Sequence, residues 1–381
     1  MSNMDQVLRK AVAAEDLPFA VAMAANRGGV TYSGAAGETA GRNAGEDTVF
    51  RIFSMTKAVG SLAAMILIER GKISMDTPVA DVLPAWNDLK VLDGWNGEAP
   101  ILRSSNTVAT VRHLATHTSG LEYEFWNADV SKYLELTGKP SMLTGTLASL
   151  MSYPLTTDPG TRWGYGTGID WLGRMVEEID GRRIDAFCRE EIFEPLGMSS
   201  TSFEPDSLTD RLCDVSIRGE DGHFAPFELA PPRQPEFYGM GHALYSTAPD
   251  YLRFLRMVLG RGELEGARIL SEDAMGVMCS DQMNGLAFRK MVTVVPALTA
   301  DFDPFPGARV GHAFAFMRNG VDIPGRRSAG SLSWAGVCNT HYWIDPLRDV
   351  CAVIMTQSLP FVERRLMKVY AAYEEAVYAA L

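Results

Sequence analysis

Ser54 and Lys57 are the residues of this chain whose types and spacing most directly permit chemistry. A separation of three puts a hydroxyl and an amine on the same helical face. An amine beside a serine oxygen is one way to activate a nucleophile for attack on an acyl carbon. Ser54 follows the strand-like run Val49-Phe50-Arg51-Ile52-Phe53 and precedes the run Ala58 to Ile68. That second run is apolar almost all round, which predicts a buried helix. A lysine on such a helix must find partners or lose its proton. S-x-x-K is a short pattern, so its meaning depends on what else the chain carries.

Two further segments matter. Pro159-Gly160-Thr161-Arg162-Trp163-Gly164-Tyr165-Gly166-Thr167-Gly168 holds a tyrosine among glycines, whose backbone can bend into a cleft. Gly330-Ser331-Leu332-Ser333-Trp334-Ala335-Gly336-Val337 reads as a strand with small residues, open to close approach by a backbone or ligand. The three segments, in this order, resemble the motifs of the serine β-lactamase superfamily. They are most similar to the family VIII carboxylesterases, which look like class C β-lactamases. His117-Thr118-Ser119-Gly120-Leu121, Pro195-Leu196-Gly197-Met198 and Ser246-Thr247-Ala248-Pro249-Asp250-Tyr251 extend the likeness from about residue 15 to the C-terminus.

The resemblance implies an α+β fold: a mainly antiparallel sheet flanked by helices, plus a helical domain, with the cleft between them. It implies Ser54 as acylated nucleophile, Lys57 as the amine that takes or relays its proton, and Tyr165 as the third catalytic group. The backbone N–H groups of Ser54 and Val337 would form the oxyanion hole, each donor typically worth about 3 kcal/mol in the transition state. No cofactor or metal is expected. A tyrosine ordinarily titrates near 10, and a lysine ammonium beside it would favour the tyrosinate. The two would titrate as a pair.

Two departures direct the expected substrate. Class C β-lactamases have Tyr-x-Asn, whereas Thr167 stands in the third position here. Their relatives carry Lys-Thr-Gly, whereas this chain has Trp334-Ala335-Gly336. A cation that would grip a carboxylate has become an apolar ring. The expected function is therefore a serine carboxylesterase acting on small neutral esters of short-to-medium acyl chain through acyl-Ser54. The alternatives are a β-lactamase with weak or promiscuous activity, or an acyltransferase or amide hydrolase of the same superfamily. A non-catalytic binder using the same cleft is disfavoured by the joint presence of Ser54, Lys57 and Tyr165.

Tyr123, Phe125 and Trp126 are candidate pocket walls, the alternative being loop packing onto the helical domain. Trp334 and Gly336 are further substrate-binding candidates. His242 stands where relatives often have glycine and is read as pocket wall more than as a catalyst. Residues 281–307 have no clear period and suit either a rim over the cleft or an edge insertion.

Elements must position these groups. A helix is expected over 4–15, and strands over Phe19 to Ala25 and Val30 to Ser33 around an Asn26-Arg27-Gly28-Gly29 turn. Val49 to Phe53 is a third strand, and the Ser54 helix should end at Gly71. Helices are expected over Gly168 to Asp180, Ala248 to Leu259 and Val362 to Ala379. Strands are expected over His312 to Met317, Ser328 to Ser333, Thr340 to Ile344 and Asp349 to Met355. The sheet domain would comprise 1–82 and 236–381, and the mainly helical domain 83–235.

Composition narrows the field. The 381 residues are 46% hydrophobic and 22% charged, an ordinary globular balance. A formal net charge of -12 disfavours nucleic acid as a partner. The five cysteines are scattered and form no C-x-x-C, which suits reduced thiols and a cytoplasmic location. No apolar run is long enough to span a membrane. The partner expected is a small-molecule ester; oligomeric state is not specified. His113 and His117 have metal-ligand spacing but lack the glutamate of H-E-x-x-H, so a structural role is favoured. No G-x-S-x-G is present.

Overall fold

The computed structural model describes residues 2–381. Its centre is an eight-stranded sheet, antiparallel at every pairing. Across the sheet the strands run Val310–His312, Met317–Asn319, Leu332–Gly336, Thr340–Asp345, Val350–Met355, Phe19–Asn26, Gly29–Thr39 and Arg42–Asn43. The two ends of the chain meet in its middle, where Val21 pairs with Met355 and Ala25 with Cys351.

Phe19–Asn26 is apolar at seven of its eight positions because both its faces are covered. Side chains alternate along a strand. Phe19, Val21, Met23 and Ala25 join the large core that holds the helix Thr56–Glu69. Ala20, Ala22 and Ala24 face the helices Asn3–Ala13 and Arg364–Tyr378, where Leu8, Leu366 and Tyr373 are buried. The remaining helices include Val111–Ala115, Ala128–Thr137 and Gly168–Asp180. An unexpected hairpin, Val91–Asn96 with Ala99–Arg103, lies among them. No described helix is long and apolar enough to cross a membrane.

Three sequence expectations need correction. The expected strand His312 to Met317 is instead the end of one strand, a hairpin turn over residues 313–316 and the start of the next, the turn closed by Ala313 N–H donating to the Phe316 carbonyl at 2.8 Å with Ala315 at φ +61°. Its residues are apolar because the turn is buried, which disguised it as a strand. The strand expected from Ser328 starts at Leu332, since Ser328 N–H is held by the Asp345 carboxylate at 2.8 Å. Val49–Arg51 pairs with Tyr245–Thr247 outside the main sheet, and the chain turns at Phe53.

Candidate active site

Ser54 lies in the single turn Phe53–Met55 that joins Val49–Arg51 to the helix Thr56–Glu69. Phe53 has φ +39°, a conformation that L-residues adopt at a cost. Neighbouring bonds hold it: Ile52 N–H donates to the Leu244 carbonyl (3.1 Å) and Tyr251 Oη to the Met55 carbonyl (2.9 Å).

Lys57 begins the next turn and is fully buried. Its Nζ lies 3.2 Å from Ser54 Oγ, 3.0 Å from Tyr123 Oη and 2.8 Å from the Gly241 carbonyl. An ammonium has three protons, and these three acceptors match them. A neutral amine could keep the bonds to Tyr123 and Gly241 and turn its lone pair toward the Ser54 hydroxyl. The arrangement accommodates both states of a proton acceptor.

Two tyrosine rings flank Lys57, at 5.1 Å (Tyr123) and 4.9 Å (Tyr165) from Nζ to centroid. Backbone bonds bring their loops together. Tyr123 N–H donates to the Tyr165 carbonyl at 3.0 Å, and Gly164 N–H to the His117 carbonyl at 2.8 Å. Gly166 permits this approach, since a Cβ there would lie 2.1 Å from the Leu121 carbonyl oxygen. The hydroxyl bonded to Lys57 is that of Tyr123. Tyr165 Oη instead accepts from Trp334 Nε1 at 3.3 Å. Burial, reinforced by the Asp170 carboxylate and then by Tyr165, holds the Tyr123 proton well above its ordinary range. Tyr123 is thus a phenol at neutral pH.

The strand Leu332–Gly336 brings Trp334 and Val337 to the same place. A Cβ on Gly336 would lie 2.3 Å from the Ile52 carbonyl oxygen and 2.4 Å from Thr340 Oγ1. Only glycine lets this strand end press against the turn that carries Ser54.

A small, mainly apolar cavity opens onto Ser54. Of the expected wall residues, Phe125, Trp126 and Trp334 line it, together with Tyr165, Ala335, Val337 and Phe361. Tyr123 turns to Lys57, and Gly336 packs behind the wall on Ile52. His242 is not a lining residue: its Nδ1 is 3.7 Å from Asp170 Oδ1, behind Lys57. Residues 281–307 reach the cleft, with Val294 N–H donating to the Phe125 carbonyl at 3.0 Å and Phe302 against Phe361.

Asp170 escaped the sequence reading. It is fully buried on Gly168–Asp180, and its Oδ1 accepts from Gly241 N–H at 2.8 Å. It therefore anchors Gly241 through its N–H, on the peptide next to the one whose carbonyl holds Lys57. Nothing in its local sequence marks it, apart from lying five residues after Tyr165. Thr167 is buried with its hydroxyl unpartnered. His117 packs edge-on to Tyr165, with centroids 4.9 Å apart, and burial pushes its pKa well below the ordinary value. Thr110 N–H donates to His113 Nδ1 at 3.2 Å.

The Beta-lactamase family model matches residues 4–376 of the chain. ML-236A carboxylate methylbutanoyltransferase of Penicillium citrinum is 26% identical over 100% of this chain and 94% of its own. Esterase EstB of Burkholderia gladioli is 28% identical, covering 99% and 95%. Among solved structures, a simvastatin synthase mutant from Aspergillus terreus superposes with a TM-score of 0.84 at 25% identity, covering 99% of this chain and 96% of that one.

Proposed function

Because this chain belongs to the Beta-lactamase family, whose relatives here include esterases and acyltransferases, we propose that it is a serine carboxylesterase acting on small neutral esters with short-to-medium acyl chains. One observation carries this reading: Lys57 Nζ within hydrogen-bond reach of Ser54 Oγ at the foot of an apolar cavity. In this reading the cleft separates a sheet domain (1–82 and 236–381) from a mainly helical one (83–235), and the protein works in the cytoplasm.

The reaction runs in two halves. Ser54 Oγ attacks the ester carbonyl as its proton passes to the neutral Lys57 amine. The carbonyl oxygen becomes an oxyanion held by the N–H groups of Ser54 and Val337. The C–O bond to the alcohol breaks, and the leaving oxygen takes up a proton. In this reading Tyr165, whose ring lines the cavity beside Lys57, relays it from the ammonium by exchanging its bond from Trp334 for one from Lys57 as substrate binds. Tyr123 and Gly241 keep Lys57 in place throughout. Water then enters and attacks the acyl carbon as its proton passes to Lys57; the bond to Ser54 Oγ breaks, that oxygen takes the proton back, and the acid leaves.

The apolar walls Phe125, Trp126, Trp334 and Phe361 support neutral esters over β-lactams, whose carboxylate would meet no cation at Trp334. Amide hydrolysis is a weaker alternative on the same acyl-serine chemistry. Acyl transfer to an alcohol is a second reading, favoured by the full-length likeness to a methylbutanoyltransferase.

A panel of p-nitrophenyl esters with a cephalosporin, repeated with a competing alcohol, tests these readings. Rapid release of p-nitrophenol with free acid as product is expected, with the cephalosporin slower by orders of magnitude. Faster turnover of the cephalosporin would overturn the assignment, and acyl transfer to the alcohol as the main product would favour the second reading.

A further inference from the structure

We propose that the far end of the substrate cleft binds an anionic group, so that preferred esters carry a carboxylate remote from the scissile bond. This rests on the acyl-Ser54 esterase reading and narrows its substrates: the groups beside the reacting carbonyl stay neutral, and the charge lies at the remote end.

A second cavity adjoins the one at Ser54 and shares Trp334, Ala335 and Phe361 with it. Phe302, Phe305 and Met317 extend its apolar wall. A substrate that enters at Ser54 and continues past Ala335 would run between aromatic rings toward a charged end.

That end does not balance. Its charged lining groups are Arg326, Arg327 and Glu374. Arg327 is buried and committed: Nε donates to Glu374 Oε1 at 2.7 Å, and Nη2 to Glu374 Oε2 at 3.1 Å and Tyr370 Oη at 2.6 Å. Glu374 thus spends its single charge on Arg327. Arg326 reaches the same carboxylate only at 3.6 Å, and its side chain is 26% exposed. His341, also in the wall, adds no charge, since burial pushes its pKa down to about 3. Two guanidiniums share one carboxylate, leaving one positive charge in the lining of a mainly apolar cavity. A planar guanidinium pairs well with a carboxylate, and apolar walls strengthen such a bond. The negative charge of the whole protein is screened beyond about 8 Å in physiological salt. The cation missing at Trp334, next to the reacting carbonyl, is in effect moved to the other end of the substrate.

Two substrate series test the site in the intact protein. One contains p-nitrophenyl monoesters of α,ω-dicarboxylic acids, each matched to the methyl-ended ester of equal length. The other contains acetates of ω-hydroxy carboxylic acids, each matched to an alkyl acetate and followed by proton release. The reading is the ratio of kcat/KM, carboxylate-ended over methyl-ended. A ratio of about tenfold or more is expected at one length range in one series. It should fall to about one in Arg326→Gln and partly persist in Arg326→Lys, with melting temperatures checking the fold. Ratios at or below one throughout both series, or a ratio unchanged in Arg326→Gln, would overturn the site while turnover of the methyl-ended esters left the esterase reading standing. No turnover of any ester would overturn both.

Discussion

At the scale of single residues, the account turns on how a buried lysine is kept useful. Lys57 has an acceptor for each proton of its charged form, and one of these is the serine it would deprotonate. Replacing Lys57 with alanine should lower kcat by about 10³-fold or more, because the nucleophile loses its base. The two tyrosines should separate. Tyr165 faces the cavity, so Tyr165→Phe should cost about 10²–10³-fold in kcat if it carries the leaving-group proton. Tyr123→Phe removes only a neutral partner of Lys57, and a loss nearer tenfold is expected in the same p-nitrophenyl ester assay. Equal effects in the two variants would contradict this division. Ser54, Lys57 and Tyr165 were legible because each stands in a short motif. Asp170 and Gly241 were not. Gly241 acts through its backbone N–H and carbonyl, which leave no mark on side-chain type, and it is 184 residues from Lys57 in the chain; Asp170 acts through a carboxylate whose only hydrogen bond among the described residues is to that N–H.

At the scale of elements, the site depends on one strand end meeting one strand-to-helix turn. Gly336 allows Leu332–Gly336 to touch Ile52, two residues before Ser54. Gly336→Ala would force a methyl into 2.3 Å from the Ile52 carbonyl oxygen, so one partner must move. Destabilisation of about 1–3 kcal/mol is expected in urea unfolding, with a larger proportional loss in kcat than in 1/KM because the oxyanion donors shift. Retention of full kcat would show that the contact does not position the site. The helix Thr56–Glu69 was legible from its apolar run, and the strands of the sheet from their runs of buried residues. The turn Ala313–Phe316 was not. Periodicity reports burial, and a buried turn carries the same residues as a strand. The cavity lined by Arg326 was equally hidden, since it joins the turn before one strand to the C-terminal helix.

At the scale of the whole molecule, the sheet ties residues 19–43 to residues 310–355, so the fold closes only when both ends are present. Several histidines are sealed inside it in their neutral form. Burial lowers His312 to about 4 and His341 to about 3, against about 6.5 in an unfolded chain. Their folded values are depressed, so their contribution is complete above about pH 6.5 and is lost as the pH falls toward 4 and then 3. At roughly 1.4 kcal/mol per pH unit for each histidine, the pair should cost about 5 kcal/mol of stability between about pH 6.5 and 4.5. Urea midpoints across that range check the slope, and His312→Gln should flatten it by about one histidine's share. An unchanged slope in that variant would mean that His312 titrates normally in the folded protein.

The most direct measurement is peptide mapping by mass spectrometry after treatment with a fluorophosphonate, alongside the ester activity of Ser54→Ala. The account predicts a single adduct on the peptide containing Ser54, blocked in Ser54→Ala, and a kcat reduced by about 10⁴-fold or more in that variant with little change in melting temperature. An adduct on another residue, or near-normal turnover without the Ser54 hydroxyl, would contradict it.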